Sequence, residues 1–207
     1  MPATAERSDV KPSPPTRHPK RKVNIDCGDY ILRTITTSDA TDRWAHWMED
    51  AEASEMLNAP RRAMTRDELV AYIKGFDQRT RILIGIFEKS TGLLLGFLRN
   101  DVNFETNQFL VAMIIGEPEH RHSGVTNAVT VPFRNYFFEE LGMDAMLATA
   151  LAHNKPIIHY LYATGWTLDR TVPNAVTAHT GERAFDLCFF SQTREGWRAW
   201  KKAKGFA

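Results

Sequence analysis

The chain has 207 residues, 43% of them hydrophobic and 11% aromatic, which is enough apolar material for one substantial core and one compact domain. Its 26 Lys and Arg nearly cancel 25 Asp and Glu, leaving a net charge of +1. Apolar stretches such as Phe109 to Ile115 reach less than half of the roughly 20 residues a membrane-crossing helix needs, which excludes a membrane span.

The charge is unevenly spread. Residues 1–22 carry six basic side chains against two acidic ones, together with five of the ten prolines. That composition predicts a disordered basic arm ahead of a single domain over residues 23–207. The charges are spaced without interleaved aromatics, so a solvated tail is favoured over a nucleic-acid contact. No apolar leader opens the chain, and Cys27 and Cys188 match no metal-ligand or redox spacing. The expectation is a cytoplasmic, reduced setting with both thiols as small core residues and no bound metal.

Tyr30-Ile31-Leu32-Arg33 predicts a first strand, and Thr37-Ser38-Asp39 an N-cap for a helix running toward Met48. Ala40, Trp44, Trp47 and Met48 supply its apolar stripe. After the polar break at Asn58 to Arg62, Thr65 and Glu68 form a capping box ahead of Leu69, Tyr72, Ile73 and Phe76. Arg81 to Phe87 and Leu93 to Leu98, joined by a turn ending at Gly92, predict an antiparallel hairpin. Phe109 to Ile115 adds another strand. These runs are apolar at nearly every position, so the sheet is expected to carry helices on both faces.

Ala128 to Leu141 reads as a helix ending at Gly142, with Pro132 kinking it or confined to an early turn. Ala145 to Ala150 is a strand, Pro156 to Tyr162 a helix closed by Gly165, and Trp166 to Leu168 and Phe185 to Phe190 are the last strands. An amphipathic tail carries Trp197 and Trp200. The fold class is α/β, a mixed and mostly antiparallel sheet of about seven strands.

Between the Phe109 to Ile115 strand and the following helix lies Arg121-His122-Ser123-Gly124-Val125-Thr126. A helix start leaves backbone N–H groups unpaired at the positive end of the helix dipole, an arrangement that binds phosphate. Gly124 lets the backbone approach a bulky pyrophosphate. The pattern is neither a Walker loop nor a dinucleotide fingerprint.

This turn, the strand after it, Asn154, and a helix ending at Gly165-Trp166 together resemble the GNAT superfamily of N-acetyltransferases. That signature is Arg/Gln-x-x-Gly-x-Gly/Ala, then a strand, an Asn and a helix ending in Gly-Phe. Leu32-Arg33-Thr34-Ile35, Phe138-Glu139-Glu140-Leu141-Gly142 and Thr193-Arg194-Glu195-Gly196-Trp197 resemble the branch of ribosomal-protein N-terminal acetyltransferases.

The resemblance implies a splayed parallel strand pair holding the thioester arm of acetyl-CoA, and direct attack by a primary amine. By position, Ile114 and Gly116 would present backbone groups to the pantetheine. Arg121, His122, Ser123, Gly124, Val125 and Thr126 would hold the pyrophosphate, and Asn154 would bond near the sulfur. The last turn position is Thr126 where the family has Gly or Ala. Many relatives place a tyrosine acid seven residues after the Asn, where this chain has Leu161. Tyr160, one position away, is the candidate replacement, and His153, Glu105 and His159 are candidate bases. The acceptor is a small-molecule or peptide amine, gripped by the early helices and the Thr171 to Arg183 loop, and a homodimer is an allowed assembly. The alternatives are a non-catalytic CoA-binding sensor, or transfer from a longer acyl-CoA or acyl carrier protein.

Overall fold

The computed structural model describes residues 18–121 and 123–206. Most of the expected basic arm, residues 1–17, therefore lies outside the described residues, as does His122. Residues 18–22 run against the domain: the His18 ring stacks on Phe104 with centroids 3.6 Å apart, and the Arg21 N–H donates to Gln78 O at 2.7 Å.

Among the described residues, eight strands form one sheet in the order β1-β2-β3-β4-β5-β6-β8-β7. β1 (Asn24–Cys27) and β2 (Tyr30–Thr34) are a hairpin closed by Gly28 and Asp29, with Gly28 at φ 74°. β1 is the strand beyond the seven expected; four residues are too few for a period to be read. β3 (Arg81–Glu88) and β4 (Leu94–Asn103) form the anticipated antiparallel hairpin, and β5 (Gln108–Ile115) continues it. Covering on both faces follows from β3: Ile82, Ile84 and Ile86 enter one core, Leu83 and Phe87 the other.

The expected helix from Thr37 to Met48 is broken into a 3-10 turn (Thr37–Asp39), α1 (Asp42–Ala45) and another 3-10 turn (Trp47–Glu49). Asp39 turns back to accept from the Thr36 N–H and from Arg33, and Thr41 caps a new start by accepting from the Trp44 N–H. Trp44 and Trp47 are buried all the same. α2 (Ala51–Leu57) follows, capped by Asp50, and α3 (Arg66–Lys74) begins at the Thr65–Glu68 capping box as anticipated.

α4 (Val125–Asn135) runs through Pro132, which removes one backbone donor, and then widens into a π turn (Tyr136–Glu140) where the Leu141 N–H reaches Tyr136 O. β6 (Ala145–Leu151), α5 (Lys155–Ala163), β7 (Thr167–Thr177), β8 (Ala184–Thr193) and α6 (Arg194–Ala203) complete the chain. The Thr171 to Arg183 stretch is thus largely a β7–β8 hairpin rather than a loop. Pro173 and Asn174 obscured it, and β7 tolerates them because it is an edge strand with a register break between Val172 and Val176. Among the described residues, no helix is long and apolar enough to cross a membrane.

Glu117, directly after β5, is 4% exposed. It accepts from Arg43 Nε at 2.6 Å, Arg43 Nη2 at 2.5 Å and Trp47 Nε1 at 2.8 Å, tying the first helices to the end of β5. Burial works to raise its pKa, but the hydrogen bonds from Arg43 and Trp47 and the Arg43 charge prevail and hold it below the ordinary 4.5. A carboxyl depressed in the folded state contributes stability above its unfolded pKa and loses it as pH falls through the folded value. Glu117→Gln should therefore be less stable than the parent at pH 7, with the gap closing as pH drops below 4.5. A gap in urea unfolding that is constant down to pH ~2 would contradict this assignment.

Candidate active site

The site is built by β5 and β6, the only parallel pair among the described residues, joined through α4. They pair at Gln108–Ala145, Phe109–Met146 and Leu110–Leu147 and then separate. β5 stays bound to β4 as far as Ile115–Gly96, and β6 to β8 as far as Leu151–Leu187. The inner edges of both strands beyond Leu110 and Leu147 therefore face a gap.

Two connected cavities occupy this gap. One of about 430 Å³ spans the sheet at the point of separation; the other, of about 780 Å³, leads outward to the starts of α4 and α5. Asn154 and Tyr160 line both, so they stand at the junction. At the outer end, Gly124 is the N-cap of α4 with φ 92°, and no side chain caps this helix. A left-handed φ favours glycine, and nothing lies within 4 Å of where a Cβ would be. The Ala128 N–H already bonds Gly124 O, which leaves the N–H groups of Val125, Thr126 and Asn127 ahead of it as the free donors of the first turn.

At the junction a directed hydrogen-bond chain crosses from α4 to α5. Thr130 Oγ1 donates its single proton to Thr126 O at 2.7 Å, so at its 2.6 Å contact with Tyr160 it accepts, and the Tyr160 Oη donates. Arg134 Nη2 donates in turn to Tyr160 Oη at 3.5 Å. Arg134 is 1% exposed and has no carboxylate partner among the described residues. It donates instead to Thr164 O, Thr164 Oγ1 and Gln192 Oε1 at 2.7–2.9 Å, and lies within 6.0 Å of the ring centroids of Trp166, Trp197 and Trp200. Burial lowers its pKa, and Tyr160 works in the opposite direction.

An acetyltransferase (GNAT) domain profile matches residues 29–167. The chain belongs to the GNAT acetyltransferase family. No curated protein sequence matches it significantly. Solved structures share its fold at low identity. An N-acetyltransferase from Brucella melitensis has a TM-score of 0.75 at 16% identity, covering 92% of this chain and 87% of its own. A ribosomal-protein alanine acetyltransferase from Vibrio fischeri scores 0.71 at 16% identity, covering 84% and 98%. A spermidine N-acetyltransferase from Vibrio cholerae, in complex with CoA and spermine, scores 0.70 at 16% identity, covering 82% and 98%.

Within this GNAT acyltransferase, the expected site residues are only partly brought together. Gly124, Thr126, Arg121 and Asn154 line the outer cavity, and Tyr160 the junction. The side chain of Val125 is buried, so only its backbone faces outward, and Ser123 Oγ donates to His120 O. Arg121 folds back onto α2, pairing with Asp50 at 2.6 Å and Glu52 at 3.1 Å, and also reaching Ile115 O and Gly116 O, so its charge is largely offset. Asn154 caps α5 by accepting from the Ile157 N–H and donates to Met56 O, which ties α2 across the cleft.

The backbone assignment shifts by one residue. The Gly116 N–H bonds Leu95 O, and Ile115 faces Gly96, so by antiparallel alternation Ile114 spends its N–H and C=O on β4. Met113 and Ile115 are the residues whose backbone groups point into the gap. Gly116 is needed for packing: a Cβ there would meet the Trp47 ring at 1.9 Å. Glu105 lies on the exposed turn at the opposite end of β5 from the gap and lines neither cavity, which removes it as a base. His153 is half-buried against Phe185, 3.5 Å from Glu55 O, and also lines neither. His159 is exposed at the outer cavity, beside Lys155. Lys155 and Arg134 were not singled out from sequence. Lys155 had a signal, a cation just after a helix N-cap; Arg134 had none, since one arginine on a helix reads as solvated.

Arg134→Met should cost about 2 kcal/mol, because it strands the buried Gln192 Oε1 and takes one of two donors from Thr164 O. Urea unfolding that shows a loss below ~1 kcal/mol would mean those groups find other partners.

Proposed function

We propose that the chain transfers an acyl group from a coenzyme A thioester, acetyl-CoA being the simplest donor, to a primary amine of a small molecule or peptide. The observation that carries this reading is the separation of β5 from β6 after three pairs, with the uncapped start of α4 at one end of the gap and Tyr160 inside it. The free N–H groups at Gly124 to Asn127, with Lys155 and His159 opposite, suit a pyrophosphate. The open backbone of Met113 and the N–H of Ile115 suit the amide-bearing arm and the thioester carbonyl.

The amine nitrogen attacks the carbonyl carbon, the C–S bond breaks, and the sulfur leaves with its electron pair. Tyr160 Oη gives that sulfur its proton and takes one back from solvent, to which the attacking nitrogen loses its own as the amide forms. No carboxylate or imidazole lines the inner cavity among the described residues, so the amine arrives neutral, its proton lost to water. Positioning supplies much of the rate.

Gly124→Glu puts bulk and negative charge where the pyrophosphate would lie and should abolish CoA binding in calorimetry, whereas Gly124→Ala, which carries the same left-handed strain without the charge, should retain measurable binding. Unchanged affinity would remove this turn from the site. Tyr160→Phe should lower kcat about 100-fold at constant KM for the donor. An equal fall in binding would make Tyr160 a wall rather than an acid. Across a panel of amines, the alkaline rise of kcat/KM should track each amine's own pKa; one fixed midpoint for all of them would instead reveal an enzymic base. Donor binding without thiol release from any amine would favour a sensor.

A further inference from the structure

The 430 Å³ cavity is one space that takes in the β5–β6 gap, and strand alternation divides its lining between two sides. Met113, Ala148 and Ala150 pack with the core beneath α4 and α5, the side on which the donor enters in the reading above. Ile114 packs on the other core, Thr149 lies between Ala148 and Ala150, and Leu187 precedes Cys188, so these three face away from α4 and α5. Met56 and Leu57 of α2 and Val176 of β7 complete the lining there. That side is left for the amine.

The chemistry of the lining selects among amines. No carboxylate lines this cavity among the described residues. Its charged group is the Arg134 cation, and the buried Trp166 Nε1 in the same lining is a donor without a partner. An ammonium group can only donate. A second one on the acceptor would shed water without gaining a carboxylate, in a cavity whose own charge repels it. Glu55 and Asp186, close in sequence to the lining, belong to neither cavity, and Asp186 accepts from the Asn174 N–H at 2.9 Å. Glu52, in the larger cavity, is paired with Arg121 at 3.1 Å. Asn58 spends its amide on Thr177 O and the His179 N–H. What the α2 side offers is apolar: Met56, Val176 and Leu187 are half-buried and Leu57 is 39% exposed, a surface that an apolar body would remove from water. The exposed Thr149 hydroxyl in the lining can accept from the amine N–H.

We infer that the acceptor is a small primary monoamine on an uncharged, apolar body, and that diamines and polyamines are excluded by the charge of the cavity. This inference rests on the acyl-transfer reading above, and its failure is separable from the failure of that reading. Thiol release from acetyl-CoA by the full chain is followed with hexylamine, phenethylamine and 1,6-diaminohexane, the diamine differing from hexylamine by one remote amino group. Hexylamine should exceed the diamine in kcat/KM at least about tenfold. CoA binding in calorimetry together with equal or faster turnover of the diamine overturns the acceptor class alone; no binding of CoA overturns the donor reading beneath it. Thiol release from neither monoamine while CoA binds also overturns the acceptor class. Leu57→Glu places a carboxylate at the rim of the cavity, on a side chain exposed enough for the fold to accept it. This variant, its fold checked by circular dichroism, should raise the diamine about fivefold relative to hexylamine. An unchanged ratio would show that charge in this cavity does not select the acceptor.

Discussion

The arrangement depends on how little β5 and β6 share. Three residue pairs join them, and each strand is then held by its outer neighbour alone, β5 by β4 and β6 by β8. A backbone N–H or C=O away from water must find a partner. The inner-edge groups of Met113 and the N–H of Ile115 have no strand beside them, while Arg121 takes the Ile115 carbonyl, so the sheet carries an unfilled demand for hydrogen bonds at its centre. A ligand with amides and a carbonyl answers that demand without any side chain being dedicated to it. The low identity to other members of the fold, 16% in the structures compared, is understandable where much of the binding surface is backbone.

Holding a gap open in a dense core needs bracing from both sides. On one face Glu117 fastens Arg43 and Trp47 to the end of β5, and Gly116 gives the Trp47 ring its place. On the other, Arg134 gathers α5, β8 and α6 around one guanidinium. That charge is buried among neutral acceptors and indole faces, which lowers the cost of desolvation without a counter-ion. The same guanidinium faces the Tyr160 hydroxyl, the group proposed above to protonate the leaving sulfur, so a residue that braces the gap also sets the electrostatics at its centre.

α2 gives the site its third boundary. It begins at Asp50, paired with Arg121 beside the Gly124 turn, and its C-terminal end meets Asn154 through Met56 O and Thr177 through Asn58. Two residues assigned from sequence to the donor, Arg121 and Asn154, thus spend their side chains on holding this helix. Met56 and Leu57 of α2 and Val176 and Leu187 of the β7–β8 hairpin line the 430 Å³ cavity, the two elements being linked at Asn58.

Local pattern alone made several features legible. The Thr65–Glu68 cap, the β3–β4 hairpin and the helix start at Gly124 involve residues within a few positions of one another, and the covering of both sheet faces followed from unbroken apolar runs. The order of motifs around Gly124 and Asn154 was enough for the family. The tertiary structure decided what depends on distant partners. Whether Ile114 or Ile115 faces the gap turns on register against Gly96, and one residue of shift reverses every backbone group. Tyr160 reaches the junction only because Thr130 and Arg134 meet it from another helix. Pro173 could not be assigned to an edge strand before the sheet order was known. The chain determines its own helices, turns and strands through short-range chemistry; the cavity, the buried arginine and the open strand edges arise between segments far apart in sequence, where pairing register and close packing decide.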